Sequence, residues 1–456
     1  MKKHIEKIKK RRLKQKTKWK QKINKFKKQI KKYCDTIWCP KDKIKYSTVN
    51  KNTWFTIKNA KAHFKKRKLK LNINSSFPEQ VFKCKKVLLN LTDKQKQIIN
   101  MWLTAYTLMY NKTLKLMKKR YINEEKAILN FKELRTKHMK EVRNKIILES
   151  NNNTKERVKC HNLDYAIKLV CSNYKSALSN FRNGNIKHFR IKYWRYNMRI
   201  KTMDIENQQF TKKGFCHSVF GDIDSIYDGE RFDLTKVDTD CKLQYDRLFN
   251  KYYLIVPEKI NITENKNKRE VFCGDPGIRT FITGISENNA IKIGDRCGDK
   301  IKRYLKIIDK RNNMNISNKI KKKNEKIYNR KITGLVTELH WKTIKYLTSN
   351  YRNILIGDMS VKGIINNKTS KLNKFVKRIA TWLGFYKFRQ RLEYKCNSYK
   401  INYMIIDESY TSKICSKCGE MKEDLGSSKI FSCDNCNVVM DRDINGARGI
   451  FIKHYK

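Results

Sequence analysis

Residues 408–450 read ESYTSKICSKCGEMKEDLGSSKIFSCDNCNVVMDRDINGARGI. Two CxxC pairs, Cys415/Cys418 and Cys433/Cys436, stand fourteen residues apart. Two such knuckles place four thiolates around one Zn²⁺ with no open coordination position, which makes the site structural. Two pairs at this spacing are rarely both redox-active, so a redox role is the weaker alternative. Acids flank the knuckles, Asp407 and Glu408 before them and Asp441 and Asp443 after. The stretch predicts a zinc ribbon over 411–436, set between two acid-bearing elements.

Working outward, the acids sit at the ends of regular elements. Tyr403–Ile406 reads as a buried strand ending on Asp407 and Glu408, and Asn353–Met359 as another. VFCGDPGIRTFITGIS (271–286) is a strand, a Pro-Gly turn beside Asp275, and a second strand. Ile301–His340 is a long basic helical region. Lys374–Tyr394 is helical with Trp382, Phe385, Phe388 and Leu392 inward, and Ile444–Ile452 is a final helix. Strands alternating with helices, with acids at strand ends, describe an α/β layer. Asp275, Asp443 and a third carboxylate can hold two Mg²⁺ about 3.5–4 Å apart, the arrangement that hydrolyses phosphodiesters. Taken singly, Asp275 is a good turn residue and Asp443 a good N-cap. Only the set points to chemistry.

Further upstream the texture differs. Lys83–Leu91 contains the apolar run VLLNL, and Thr92 to Gln95 forms a capping box. A helix follows with Ile98, Trp102, Ala105, Met109 and Leu116 near one face, and helical patterns continue through Phe131–Ile147 and Leu163–Phe181. From Ile186 the period becomes that of strands, in HFRIKYW and CKLQYDRLFNKYYLIVP. This predicts a β unit (81–92 and 186–262) carrying an inserted helical unit (93–185). Residues 1–80 form a basic arm. Trp19, Ile23, Phe26 and Ile30 fall at helical spacing there, and a basic helix and a disordered arm both fit. Cys34 and Cys39 have no second pair nearby and predict no metal.

Composition fits one kind of partner. Lys+Arg number 106 against 42 Asp+Glu, a formal net charge of +64. A compact chain with that self-repulsion needs a polyanion. Drift toward Lys and Asn in an A+T-rich genome is the bland alternative, but it would enrich acids too. No run of about 18 apolar residues exists, and the charged N-terminus lacks the apolar core of a secretory signal. Ten of the 14 Cys show no framework spacing, as expected of reduced thiols in an intracellular protein.

Several of these stretches carry a family resemblance. DPGIRTFITG resembles the first RuvC motif of the TnpB-type transposon nucleases, with Asp275 in the catalytic place. DRDINGARGI resembles the third, with Asp443 in that place, and Gly446 and Gly449 depart mildly from it. TSKICSKCG and CDNC are similar to the ribbon inside RuvC, and LTDKQKQIINMWLTAYTLMYNKT to the recognition helix. LIGDMSVKG puts Gly357 where the TnpB motif carries its second acid. The Fanzor branch resembles this chain in using another Glu just before the ribbon's TS, here Glu408 in IIDESYTS. Glu408 shares a strand face with Ile406, while Asp358 is one residue off register.

The resemblance implies an RNase H-like (RuvC) nuclease domain over 268–410 and 437–456 with the inserted ribbon. A wedge-like β-barrel unit with its helical recognition unit would precede it. It implies Mg²⁺ at Asp275, Glu408 and Asp443, Zn²⁺ at the four ribbon Cys, an omega-type guide RNA, target double-stranded DNA, and a possible co-encoded recombinase or transposase. The expected activity is RNA-guided DNA cleavage, in the nucleus of a eukaryotic host or virus-infected cell. A decayed nucleic-acid-binding relative, a transposase accessory protein and a strand-joining transposase stand as alternatives.

Overall fold

Seven strands form one sheet in the computed structural model. They are β1 (Ser47–Thr48), β2 (Ile57–Lys61), β3 (Arg269–Pro276), β4 (Thr280–Ile285), β5 (Asn289–Asp295), β6 (Tyr351–Gly357) and β7 (Asn402–Ile406). Their order is β1-β2-β5-β4-β3-β6-β7. β3, β4 and β5 make an antiparallel meander, and β6 and β7 run parallel to β3 and to each other. The 5-4-3-6-7 core is the strand order of an RNase H-like layer. The structure describes residues 2–40, 44–50, 53–61, 77–123, 125–261, 269–359, 361–365, 372–422, 424, 426 and 428–454, with backbone alone for 2–16, 36 and 362.

Among the described residues, the longer helices of this unit are α1 (Lys2–Tyr33), α2 (Gly298–Asn312), α3 (Asn318–Asn350), α4 (Lys374–Leu383), α5 (Phe385–Ser398) and α6 (Arg442–His454). Successive strand residues face opposite sides. Val271, Cys273, Leu355 and Ile406 therefore share one core with α1 and α6. Phe272, Ile354 and Ile356 share the other with α2 to α5. Covering both faces explains why these strands read as nearly unbroken apolar runs.

The helices are more broken than their periodicity predicts. The region 301–340 is two helices, because Ser317 caps a new start by accepting from the Ile320 N–H. The region 374–394 divides at Gly384, whose φ of +58° is the left-handed conformation that ends α4. The N-terminal segment is helical at its start, and it is joined to the seven-stranded sheet and its helices. Ile23, Phe26 and Ile30 are buried in the α6 core, and β1 and β2 extend the sheet beyond β5.

The second unit, Phe82–Ile260, has a six-stranded sheet. Its order is Ile200–Ile205, Cys241–Asp246, Lys251–Ile260, Val81–Asn90, Asp224–Tyr227, Glu230–Arg231. Helices Asp93–Ile122, Lys140–Ser150 and Cys160–Arg182 pack with it around one core. The capping box at Thr92 forms in both directions: its hydroxyl accepts from the Gln95 N–H, and the Gln95 amide oxygen accepts from the Thr92 N–H at 2.8 Å. The alternation in His188–Trp194 predicts a strand, but this stretch is irregular. Among the described residues it has no strand partner. Instead the Asn111 amide donates to the Trp194 carbonyl (2.9 Å) and accepts from its N–H (2.8 Å).

Candidate functional site

The ribbon folds locally. β8 (Ile430–Ser432) and β9 (Val439–Asp441) form an antiparallel hairpin carrying the second knuckle. The first knuckle turns at Gly419 (φ +83°), where the Gly419 N–H donates to the Cys415 carbonyl at 2.9 Å. All four sulfurs lie within 4.8 Å of one another, with Cys415–Cys436 at 3.7 Å and Cys418–Cys433 at 3.5 Å. A tetrahedron of Zn–S bonds separates its sulfurs by about 3.8 Å. The cluster therefore fits one zinc ion held as a structural site.

Strand parity brings the acids to one side. Asp275 follows Val271 and Cys273 on β3, and Glu408 follows Ile406 beyond β7, so both face α6. Register does the rest. Gly274 pairs with Ile356, and Gly357 with Ile406, so the ends of β3, β6 and β7 lie side by side. Asp443 stands in the first turn of α6, which covers that face.

Two glycines make the space. A Cβ built at Gly357 would collide with Glu408 Oε2, and one at Gly446 would lie 2.6 Å from Asp275 Oδ2. Glu408 thus fills the position a longer side chain at 357 would need. Its Oε2 is buried and has no hydrogen-bond partner among the described residues. It borders a cleft of about 880 Å³ lined also by Asp358, Met359, Ile405 and Asp407.

The carboxyls are held against their ordinary chemistry. Burial, then the charges of Glu408 and Asp443, push Asp275 well above the usual carboxylate range. Burial, then Asp358 and Asp407, push Glu408 up to about 7. Burial, then Asp441, raise Asp443. Half-buried carboxylates crowded by other acids are stabilised in their charged form by a nearby cation. Among the described residues, the four cysteines are the one group of three or more such ligands within 4.8 Å, so the acids are spread wider than the sulfurs. Hard, half-buried oxygen donors, with Glu408 Oε2 buried and unpartnered among the described residues, suit Mg²⁺, which takes few carboxylates and completes its shell with water and phosphate.

The neighbouring acids are engaged elsewhere. The Arg389 guanidinium donates to Asp358. Asp407 accepts from the Ser409 N–H at 3.0 Å and from Lys453 at 3.3 Å; burial opposes its charge, but these partners outweigh it and hold it below the usual range.

Sequence reading missed the supports. Asp441 accepts from the Asp443 N–H at 2.9 Å and from the Lys292 ammonium on β5, which pins the start of α6 to the sheet. Asn445, fully buried, accepts from the Ser416 N–H (2.9 Å) and donates to the carbonyls of Ile414 (3.0 Å) and Thr411 (3.3 Å). Arg448, also buried, donates to the carbonyls of Ser416, Cys34, Ile37 and Trp38. A charged residue at a helix position facing the core was the only available signal for Arg448. Through these two side chains α6 grips the first knuckle and the N-terminal segment together.

The family model described as "Cas12f1-like, TNB domain" matches residues 385–450. TnpB-like protein L79 of Acanthamoeba polyphaga mimivirus is 34% identical over 388 residues, covering 80% of this chain and 72% of that protein. A Streptomyces pristinaespiralis protein provisionally named an RNA-guided DNA endonuclease is 32% identical over 114 residues, 25% of this chain and 26% of that one. Among solved structures, a Cas12f1–sgRNA–target DNA complex matches with a TM-score of 0.43 at 12% identity, covering 79% of this chain and 83% of that one.

Proposed function

The chain belongs to the TnpB-like protein family, and from that membership we propose that it is an RNA-guided endonuclease of a transposable element, cutting DNA at Asp275, Glu408 and Asp443. The observation that carries this reading is the space above Gly357, into which the Glu408 carboxylate reaches beside Asp275. A decayed site would have lost the acid at 357 and gained nothing in its place.

The chain's own residues prepare the chemistry. Asp275, Glu408 and Asp443 would hold the Mg²⁺ ions. When bound, these ions would supply Lewis-acid activation of water and neutralise charge at the phosphate. Partial burial between the sheet and α6 holds the three carboxylates in place, so little reorganisation accompanies reaction. Lys292 and Asp441 set where α6 begins and so where Asp443 points. The net charge of +64 would hold guide RNA and target DNA, with base pairing reading the sequence.

Purified protein with its co-purifying RNA should cut matched DNA only with Mg²⁺. Asp275→Ala and Glu408→Ala should each lower cutting about 1000-fold and leave DNA binding intact. Full cutting by Glu408→Ala would remove Glu408 from the site. Absence of Mg²⁺-dependent cutting with RNA bound would favour the second reading, a nucleic-acid-binding regulator, which the Gly at 357 motivates.

A further inference from the structure

The second unit contains a cleft that the proposed chemistry does not use. It lies where helices Asp93–Ile122 and Cys160–Arg182 end, and residues 188–191 close its side. Its volume is about 850 Å³, in the range of sites for small planar ligands. Three features set it apart from an ordinary gap between helices.

First, its rim carries aromatic rings that the core does not need. Tyr121 is 80% exposed and Phe181 49% exposed. Phe189 forms the floor and meets Phe181 and Tyr174 edge-on, each at 6.4 Å between centroids. Second, the cations outnumber the acids. Lys118, Lys126, Arg182 and Arg190 line the cleft, and the lining acid Glu125 is paired with Arg120 at 2.7 Å. Helix C-termini attract cations, which accounts for Arg182. Lys126 and Arg190 lie outside the helices and have no ion-pair partner among the described residues. Third, Lys118 lies 4.0 Å from the centroid of the Tyr193 ring, so a cation and a ring are already stacked at the edge.

Flat rings open to solvent and flanked by cations are what single-stranded nucleic acid binds. The bases stack on the rings and the phosphates meet the cations. Duplexes keep their bases stacked inside, whereas RNA loops, bulges and ends present them unstacked. We infer that this cleft is a docking site for an unpaired segment of RNA, with a base stacked on Tyr121 and Phe181 and the adjoining phosphates on Lys126, Arg182 and Arg190. The inference rests on the reading that the chain carries an RNA. It does not depend on cleavage.

The test uses the full chain and an oligouridylate of about 16 nucleotides, at salt high enough to suppress contacts made by charge alone. Tyr121→Ala/Phe181→Ala should weaken its binding about 10-fold or more, since each base stack is worth roughly 1–3 kcal/mol. Binding of an RNA duplex of the same length should not change. Tyr121→Trp/Phe181→Trp should keep the wild-type affinity. With the unmutated protein, 4-thiouridine placed along the strand should photocrosslink to the peptides holding Tyr121 or Phe181, which needs no variant to fold. Equal losses on strand and duplex, no loss on either, or crosslinks confined to other peptides would overturn the site. An equal loss on oligothymidylate would overturn the assignment to RNA in favour of DNA. Binding is read without added Mg²⁺, so a failed cleavage assay leaves this result standing, and a missing crosslink leaves the nuclease reading standing.

Discussion

The cysteine cluster and the carboxylate site share one stretch of chain, yet they are built in opposite ways. The four sulfurs come from Cys415 to Cys436 and converge within 4.8 Å through two turns and a hairpin. The three acids come from β3, the end of β7 and α6, and they stay further apart. The sulfurs make a closed shell that leaves no position for a substrate. The carboxyls are raised by burial and by neighbouring carboxylates, and Glu408 borders an open cleft. One site exchanges binding energy for folding. The other holds unfavourable charges ready for a ligand. What links them is α6, which bears Asp443 on its first turn and the two clamps on the knuckle, Asn445 and Arg448.

The largest effect should come from the closed site. Cys418→Ser/Cys436→Ser should release zinc, whose binding in small ribbons is worth about 10–16 kcal/mol of folding energy. Residues 411–441 should then become protease-sensitive and cleavage should fall, although every carboxylate is intact. Unchanged cleavage in zinc-free protein would break the link between the two sites.

Next is the open site. Glu408→Ala should lower cleavage about 1000-fold, roughly 4 kcal/mol. Gly357→Glu alone should also cut poorly, because two carboxyls would compete for one space. Combined with Glu408→Ala, Gly357→Glu should recover at least about tenfold. A double variant no better than Glu408→Ala would show that the space above Gly357 is not the determinant.

The clamps should matter less. Asn445→Ala leaves the buried Ser416 N–H unpaired and should cost about 1–3 kcal/mol. Chemical denaturation of the zinc-loaded protein measures this, and a loss of metal affinity should accompany it. A variant as stable as the parent would show that the helix and knuckle hold together by zinc and apolar packing alone.

The smallest effect lies on the other face of the sheet, away from both sites. His340 donates from Nε2 to the Leu383 carbonyl (2.8 Å) and accepts at Nδ1 from Arg391 (3.0 Å), so it is neutral. Burial pushes it down to about 4. Its folded pKa lies below its unfolded value of about 6.5, so the unfolded chain takes up the proton first as pH falls. Stability should be full above pH 6.5, decline between about 6.5 and 4, and be lower by about 1.4 kcal/mol at pH 5.5. His340→Met should flatten that part of the profile in thermal melts, and an unchanged profile would mean that other groups set it.

Much of this was legible in the chain. The CxxC spacing named its own partners because a knuckle is a local structure. Alternation at Ile406 and Glu408 already assigned that acid a face, since a strand has a period of two. Helix ends were less legible. Periodicity runs through Gly384 and through 313–317, and nothing in it reports where the chain must turn. The basic N-terminus gave the least warning. Its charge pointed outward to a partner, while Ile23, Phe26 and Ile30 point inward, and a Cβ at Gly449 would stand 3.3 Å from Phe26.

By itself the sequence grouped the four ribbon cysteines and assigned the faces of the strands, because each follows from spacing within a few residues, whereas it pointed to the acids only through the family resemblance. Only the tertiary structure showed that the Glu408 carboxylate occupies the space beside Gly357. That depends on the parallel register of β6 and β7, which sets Gly357 beside Ile406 and leaves the missing side chain's space to the next strand. Register between strands 45 residues apart is fixed by the packing of both faces against α1 to α6, and no local pattern encodes it.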